Sequence, residues 1–383
     1  MNFVSVTGKD WVLKRFDSSK LASLKDNFYL DEITAKLLLL RNVKFEEIQN
    51  YLNPSIKEFL PNPNVLLDMD RSSKRTFDTI KARQKIGIFG DYDVDGASST
   101  AILVKYFKEI GVDSEIYIPD RKTEGYGPSI KGFSELISKN VNMIFTVDCG
   151  TLSFDAIGYA KENKIDVIVI DHHQSEVNLP KAYSVVNPNR FDEKSNLQYL
   201  CASGVTFLFL VSLNKYLRSS KWFEENSLKE PNLLDYLDLV SLGTVCDVVP
   251  LIGLNRAMVK QGLKVMKFKK NLGLKTLFDI CNIDTSPSIY HLGYLLGPRI
   301  NAGGRVGKCS HGANLLLKDN PKEVFQLATE LDEFNKERKF LEKELKEKIF
   351  LSISDIDNDP VLILHGNNWH EGVIVIVASR LKY

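Results

Sequence analysis

No two cysteines in this sequence stand in C-x-x-C spacing. The five that occur (Cys149, Cys201, Cys246, Cys281, Cys309) are widely separated and odd in number. That pattern argues against both a structural zinc site and a disulfide framework. Charge of one sign is equally lacking. Lys and Arg total 50 against 49 Asp and Glu, for a net charge of +1. No global basic field recommends nucleic acid, so such a partner requires a local groove. No apolar run reaches the roughly eighteen residues of a membrane span, so no membrane partner is expected. The opening "MNFVSVTGKDWVLKRF" has no signal-peptide core, and a reducing cytoplasmic setting is the expectation. A length of 383 residues is enough for more than one domain, each with a core of its own.

What is present begins with "GIFGDYDVDGASST", where Asp91, Asp93 and Asp95 crowd into five positions before Gly96. Like charges so close cost free energy unless a positive partner sits among them. The stretch fits the opening of an EF-hand loop, but position twelve is Ile102 where a calcium loop needs a bidentate Glu. The flanks also disagree. "KIGIFG" reads as a strand and "ASSTAILVKYFKEI" as a helix. Strand, acidic turn and helix together describe an α/β active-site edge.

The rest of the chain extends that pattern. Residues 1–80 read as a helical region, broken by Pro54, Pro61 and Pro63. Strands are expected at "KIGIFGDYD", "SEIYIPD", "VNMIFTVDCG", "KIDVIVIDHH" and "AYSVVNPN", with amphipathic helices between them. This predicts an α/β fold with a parallel, Rossmann-like sheet covered on both faces over 81–320, and helical additions toward its end. Residues 321–350 read as one long helix. Val324, Leu327, Leu331, Phe334, Leu341, Leu345 and Ile349 form a narrow apolar stripe, interrupted only by Arg338. A coiled-coil seam and a helix bridging two domains both fit it. Then "PVLILHG" and "GVIVIVASRL" restore strand-like patterning, so 351–383 reads as the start of a second α/β domain.

Three further acidic positions share an apolar context: Asp148 in "MIFTVDCG", the run Asp171-His172-His173 in "VIVIDHH", and Asp247 in "LVSLGTVCDVVPL". In a parallel sheet the carboxyl ends of all strands open on one edge. Asp91, Asp93, Asp95, Asp148 and the Asp-His-His run are therefore expected to converge. Carboxylates plus imidazole make a divalent-metal site for magnesium or manganese, with ligands enough for two ions. Each position also has a plainer reading: Asp148 as a turn former, the histidines as loop and packing residues, and Asp247 paired with an arginine such as Arg256. Arg299 and Arg305, flanking Asn301 in the flexible glycine-bearing stretch "INAGG", suit phosphate binding. Arg121 and Tyr126 in "RKTEGYG" suit phosphate binding and base stacking. Surface arginines and a packed tyrosine are the alternatives there.

"GDYDVDG", "VDCG", "DHH" and "GTVCDVVPL", in this order, resemble the four signature motifs of the DHH phosphoesterase superfamily. "FLPNPNVLLDMDRSSKR", "RKTEGYG", "LGPRINAGGRVG" and "NWHEGVIVIVASRL" are similar to blocks of its RecJ-type single-strand-specific exonuclease branch. The resemblance implies metal ligands at Asp91, Asp93, Asp95, Asp148, His172 and Asp247, with Asp148 shared between two Mn2+ or Mg2+ ions. It implies a scissile-phosphate contact at His173, oriented by Asp171, and backbone contacts at Ser379 and Arg380. It further implies 5′-to-3′ degradation of single-stranded DNA to mononucleotides in DNA repair and recombination. Most of the DHH-associated C-terminal domain and an OB-type module are then expected to lie outside this chain, with metal binding kept and processive activity lost. Val375 stands where the family commonly has glycine. A small-nucleotide phosphodiesterase or pyrophosphatase of the superfamily, and a non-catalytic scaffold, are the competing readings. A monomer is expected. The sequence leaves open the digestion polarity and protein partners such as a helicase or single-strand-binding protein.

Overall fold

The computed structural model describes residues 2–12, 14–352, 361 and 363–381. Its centre is a five-stranded parallel sheet of β3 (Ile86–Gly90), β4 (Ser114–Tyr117), β5 (Met143–Val147), β6 (Asp166–Ile170) and β7 (Ser184–Val186). The preceding strands, β1 (Asn2–Val4) and β2 (Asp10–Val12), form a separate antiparallel hairpin. The sheet order is β4-β3-β5-β6-β7. All five strands fall where the apolar runs place them. Both faces are buried, which is why the runs are continuous rather than alternating. Ile86, Ile88, Phe145, Val147, Ile168 and Ile170 face one core, beneath helices Met69–Lys81, Val94–Glu109 and Ala202–Ser219. Phe89, Ile144, Val167 and Val169 face the other, beneath helices Ile130–Ser138 and Phe154–Glu162.

The register matters most for function. Gly90 pairs with Val147, Val147 with Ile170, and Ile170 with Val186, each the last residue of its strand. The hydrogen-bond ladder runs one residue further: Asp91 N–H donates to Val147 O, Asp148 N–H to Ile170 O and Asp171 N–H to Val186 O, at 3.3, 3.0 and 3.1 Å. Asp91, Asp148, Asp171 and Asn187 therefore stand in a row across the carboxyl edge, at the ~4.8 Å spacing of neighbouring strands.

The remainder is mostly helical, with departures from the sequence reading. The N-terminal region opens with the β1–β2 hairpin and not with a helix. Its helices Ser18–Phe28 and Glu32–Leu40 begin at the side-chain caps Asp17 and Asp31, as N-terminal amide groups require. "GPRINAGGR", expected as a flexible segment, is the helix Gly297–Val306, entered through a π-helical turn at His291–Leu296. Its small residues serve contact: a Cβ on Gly304 would lie 2.8 Å from the Tyr92 ring. "GVIVIVASRL", expected as a strand, is the helix Glu371–Leu381. Val373 and Val377, one helical turn apart, pack with Leu345 and Ile349 of the long helix Pro321–Ser352. Tertiary packing overrides the β-propensity of a valine-rich run. The strand expected at "PVLILHG" falls partly outside the described residues, and 363–366 has no regular structure. The apolar stripe of the long helix is taken up within this chain, against helices Leu272–Ile280, Gly297–Val306, His311–Leu317 and Glu371–Leu381.

Phe145 is fully buried in β5 and touches both Phe107 and Phe209, at ring separations of 5.8 and 5.3 Å. Phe145→Ala is expected to cost about 3–5 kcal/mol in urea unfolding. A loss under about 1 kcal/mol would contradict a shared core beneath this sheet face.

Candidate metal centre

The acidic turn is shaped by three local contacts. Asp93 caps the helix Val94–Glu109, its Oδ1 accepting from the N–H groups of Asp95 and Gly96 at 2.9 and 3.0 Å. Asp95 carries both oxygens into the N-terminus of a second helix, accepting from Ala202 N–H at 2.6 Å and Ser203 N–H at 3.0 Å. Gly96 needs its missing side chain for close approach: a Cβ there would sit 2.6 Å from the Asp91 carbonyl oxygen. Asp91 thus faces the edge, while Asp93 and Asp95 each anchor a helix N-terminus.

Asp148 follows β5 in the left-handed region, with φ of 61°. Non-glycine residues seldom adopt this conformation, and functional edges concentrate such strain. Its carboxylate approaches His172, whose Nε2 lies 3.2 Å from Asp148 Oδ1 and 3.6 Å from Asp247 Oδ2. Asp247 reaches the edge from the helical layer. It caps the end of helix Leu237–Cys246 rather than ending a strand. The Arg256 pairing is not formed: that guanidinium donates to Tyr51 O at 2.7 Å and lies 4.0 Å over the Tyr51 ring.

Among the described residues, three groups bring ligand atoms within 4.8 Å of one another: Asp91, Asp93 and Asp148; Asp148, His172 and His173; and Asp95, His172 and Asp247. Asp148 and His172 each belong to two of them. The convergence expected of Asp91, Asp93, Asp95, Asp148 and the Asp171-His172-His173 run is therefore observed, and Asp247 joins it. Among the described residues, the buried Asp91 Oδ1, Asp148 Oδ1 and His172 Nε2 make no hydrogen bond, the last two only approaching each other at 3.2 Å. A buried acceptor without a donor is costly, so these atoms are suited to a cation. The electrostatics agree. Burial and the Asp93 charge push Asp91 up to about 8. Burial, Asp95 and Asp93 push Asp247 up to about 8. Burial, Asp93 and Asp95 push Asp148 well above the carboxylate range.

Asp171 is different. Burial alone would raise it, but the His173 hydrogen bond and charge, with two bonds from Thr151, outweigh burial and hold it below the usual range. Its Oδ1 lies 2.7 Å from His173 Nδ1 and accepts from the N–H of His172 at 2.8 Å. Its Oδ2 accepts from Thr151 N–H at 3.0 Å. For His173, burial acts downward, yet the Asp171 bond and charge lift it to about 9. It is a half-exposed cation at neutral pH, flanked by the Tyr126 hydroxyl at 3.2 Å.

The expected substrate contacts divide. Tyr126 stands in the site, its hydroxyl donating to Asp148 O at 2.8 Å. Arg121 lies 5.7 Å over the Tyr92 ring. Arg305 is close enough to Arg121 and to Asp93 to feel both charges, although burial is the main influence lowering its pKa. It donates to Gly372 O at 3.0 Å. Arg299 and Asn301 are engaged inside the chain. Arg299 pairs with Asp332 at 2.8 Å, and Asn301 Oδ1 accepts from Val94 N–H at 3.1 Å, steadying the acidic turn. Ser379 is exposed, and Arg380 contacts Glu342 at 3.3 Å. Sequence reading missed Asn187 and Asn189. Asn187 Nδ2 donates to His173 O at 2.9 Å and to Thr151 Oγ1 at 2.8 Å, while Asn189 Nδ2 donates to His172 O. The signal was "NPN" directly after a strand, two amides at the same edge.

Asp91 and Asp247 titrate near 8 when folded against about 4 when unfolded. The folded state binds more protons between those values, so stability falls as pH rises through them. His173 acts in the same sense, its contribution lost as pH rises toward 9. Asp171 opposes only at low pH, since its contribution is lost as pH falls below the carboxylate range. In EDTA the melting temperature is expected to be higher at pH 6 than at pH 8. Asp148→Asn should raise it at pH 8 and flatten the dependence. A higher value at pH 8 for the parent would contradict the uncompensated acidic edge.

Comparison with known proteins agrees with this geometry. The family model for the DHH family, N-terminal domain, matches residues 85–244. The single-stranded-DNA-specific exonuclease RecJ of Salmonella typhimurium is 37% identical over 339 residues, covering 86% of this chain and 59% of the relative. That of Bacillus subtilis is 30% identical, covering 97% and 46%. The chain thus spans about half of the length of these curated relatives. A crystal structure of exonuclease RecJ bound to manganese superposes with TM-score 0.71 at 32% identity, over 82% of this chain and 77% of that one. RecJ from Thermus thermophilus in complex with Mn2+ gives 0.77 at 28% identity, over 96% and 51%. With 32% identity over 77% of the first of these solved chains and a DHH domain at 85–244, this chain belongs to the RecJ family of DHH-domain proteins.

Proposed function

We propose that this chain carries the catalytic centre of a metal-dependent exonuclease that hydrolyses single-stranded DNA from the 5′ end to mononucleotides. The observation that carries the reading is the set of unpartnered buried atoms at Asp91, Asp148 and His172 within overlapping ligand groups. The donors are carboxylate oxygens and one or two imidazoles, which fit Mn2+ or Mg2+. The named relatives support the same ions and substrate. Asp91, Asp93 and Asp148 would hold one ion, and Asp95, His172 and Asp247 a second, with Asp148 shared between them. Such ions supply positive charge to phosphate oxygens and make water acidic enough to attack at neutral pH.

The chain's own residues do the rest. Asp171 keeps His173 protonated and fixes its ring, so the imidazolium meets a phosphate oxygen with its exposed side. Tyr126 borders that position and offers a ring to a base. Arg121 and Arg305, near Tyr92, provide guanidinium groups for the adjoining phosphate. Residues 81–320 would form the DHH phosphoesterase domain, 1–80 an N-terminal helical region, 321–350 a connecting helix and 351–383 the beginning of the DHH-associated domain. We assign the activity to DNA repair and recombination, with a helicase and a single-strand-binding protein as candidate partners of a monomer.

With Mn2+, a 5′-phosphorylated single strand is expected to release mononucleotides, and Asp148→Ala to abolish this while circular dichroism stays unchanged. Asp171→Asn should lower the rate roughly 10–100-fold through loss of His173 orientation. Consumption of a dinucleotide but not of the long strand would favour the small-nucleotide reading. Unchanged activity in Asp148→Ala would remove the shared-ligand assignment.

A further inference from the structure

Arg338 interrupts the apolar stripe of the long helix, and the interruption coincides with a groove. It has a volume of about 450 Å3, and its cations are Arg338, Lys339, Lys343, Lys346 and Arg380. Its lining holds a single carboxylate, Glu342. That carboxylate holds the two guanidiniums in place, at 2.7 Å from Arg338 and 3.3 Å from Arg380. The three lysines follow one another at i, i+4 and i+7, so they share one face of the helix. Lys339 has no ion-pair partner among the described residues, and Lys343 reaches Glu347 only at 3.8 Å, with its side chain 77% exposed.

A second, independent feature borders the same groove. Tyr294 lines it, and Tyr290 stacks on Tyr294 at 5.1 Å with an interplanar angle of 23°. Both rings are solvent-exposed, at 59% and 72%. Tyr294 is carried on the π-helical turn at His291–Leu296 and Tyr290 directly precedes it, a geometry that recurs at functional positions. Two nearly parallel aromatic rings thus stand exposed beside a row of cations.

The groove is also connected to the acidic edge. Helix Gly297–Val306 meets it at Pro298 and meets the acidic turn through Asn301, which bonds Val94, and Gly304, which packs on Tyr92. Pro298 and Gly304 are six positions apart on the helix, roughly 9 Å of axial rise. Arg305, at the end of that helix, feels the charges of both Arg121 and Arg338. Cations therefore continue from the phosphate side of the site into the groove.

We propose that this groove is an additional contact for single-stranded DNA, holding the stretch of strand that lies outside the metal centre. Lys339, Lys343 and Lys346, with the two guanidiniums, take successive phosphates, and Tyr294, backed by Tyr290, takes an unpaired base. Stacking on an exposed ring demands an unpaired base, which selects a single strand over a duplex. Arg380 is the only residue of the groove that the sequence motifs point to as a DNA contact. The proposal rests on the exonuclease reading.

The test is fluorescence anisotropy in EDTA with labelled oligothymidylates of about four and about twenty nucleotides. The parent chain should bind the longer strand at least about tenfold more tightly. Lys339→Ala/Lys343→Ala/Lys346→Ala should shrink that gain and lower the salt slope by about 2, from ~0.7 per phosphate contact. Tyr294→Ala should shrink the gain roughly fivefold or more at every salt concentration. Melting temperatures matching the parent would confirm that both variants fold. A parent without the length-dependent gain, or variants that keep it in full, would overturn the groove assignment. Absence of Mn2+-dependent hydrolysis of single-stranded DNA by the parent would instead count against the exonuclease reading.

Discussion

Everything at the candidate site depends on one constraint, the register of a parallel sheet that ends each central strand at the same level. Because Gly90, Val147, Ile170 and Val186 pair across the sheet, the next residues fall in a row, and three of them are aspartates. The row brings like charges together in a region with little water, which is costly for the bare polypeptide. The cost appears directly in the raised pKa values of Asp91 and Asp148 and in the unpartnered oxygens of both. The sheet tolerates it because both of its faces are packed with apolar side chains. A cation that binds only the folded state offsets the repulsion and adds stability by mass action.

The same row separates two roles for carboxylates. Asp91 and Asp148 face the common space with few hydrogen bonds. Asp171 turns away, takes N–H groups from Thr151 and His172, and holds the His173 ring. Neighbours on adjacent strands thus end with opposite pKa directions, because one set lacks donors and the other is surrounded by them. Asn187 and Asn189 extend the second role by fixing the carbonyls of the histidine pair. The helices then close the site from above. Asp95 and Asp93 anchor two helix N-termini, Asp247 descends from the end of a third, and Gly304 lets a fourth approach Tyr92.

Much of the site was legible because its residues lie next to strong local signals. Apolar runs ending in acid identify strand ends, and strand ends in a parallel sheet share an edge. Asp247 was legible only as an acid in an apolar stretch. The helix read at "LLDYLDLVSLGTVC" is observed as Leu237–Cys246 with Asp247 at its end, but nothing local says that this helix end meets the strand edge. The helix Glu371–Leu381 was misread for a related reason. Its valines favour a strand, and only the complementary face of Leu345 and Ile349 makes the helix preferable. Arg299 and Asn301 were read as substrate contacts because arginine and asparagine near glycine suit phosphate. In the structure they bond to Asp332 and Val94, which are distant in sequence.

The amino-acid sequence by itself determined the parallel α/β sheet, the position of the acids and histidines at strand ends, and the family to which those motifs belong. These follow from patterns within a dozen residues, where periodicity and turn chemistry operate. Tertiary structure alone decided which carboxylates face one another and which are spent on helix termini. It also decided that Tyr294, with Tyr290 stacked on it, shares a groove with lysines nearly fifty positions away. Those outcomes depend on burial and on pairing between distant segments, and the free energy of a charge is set by its surroundings more than by its neighbours in the chain.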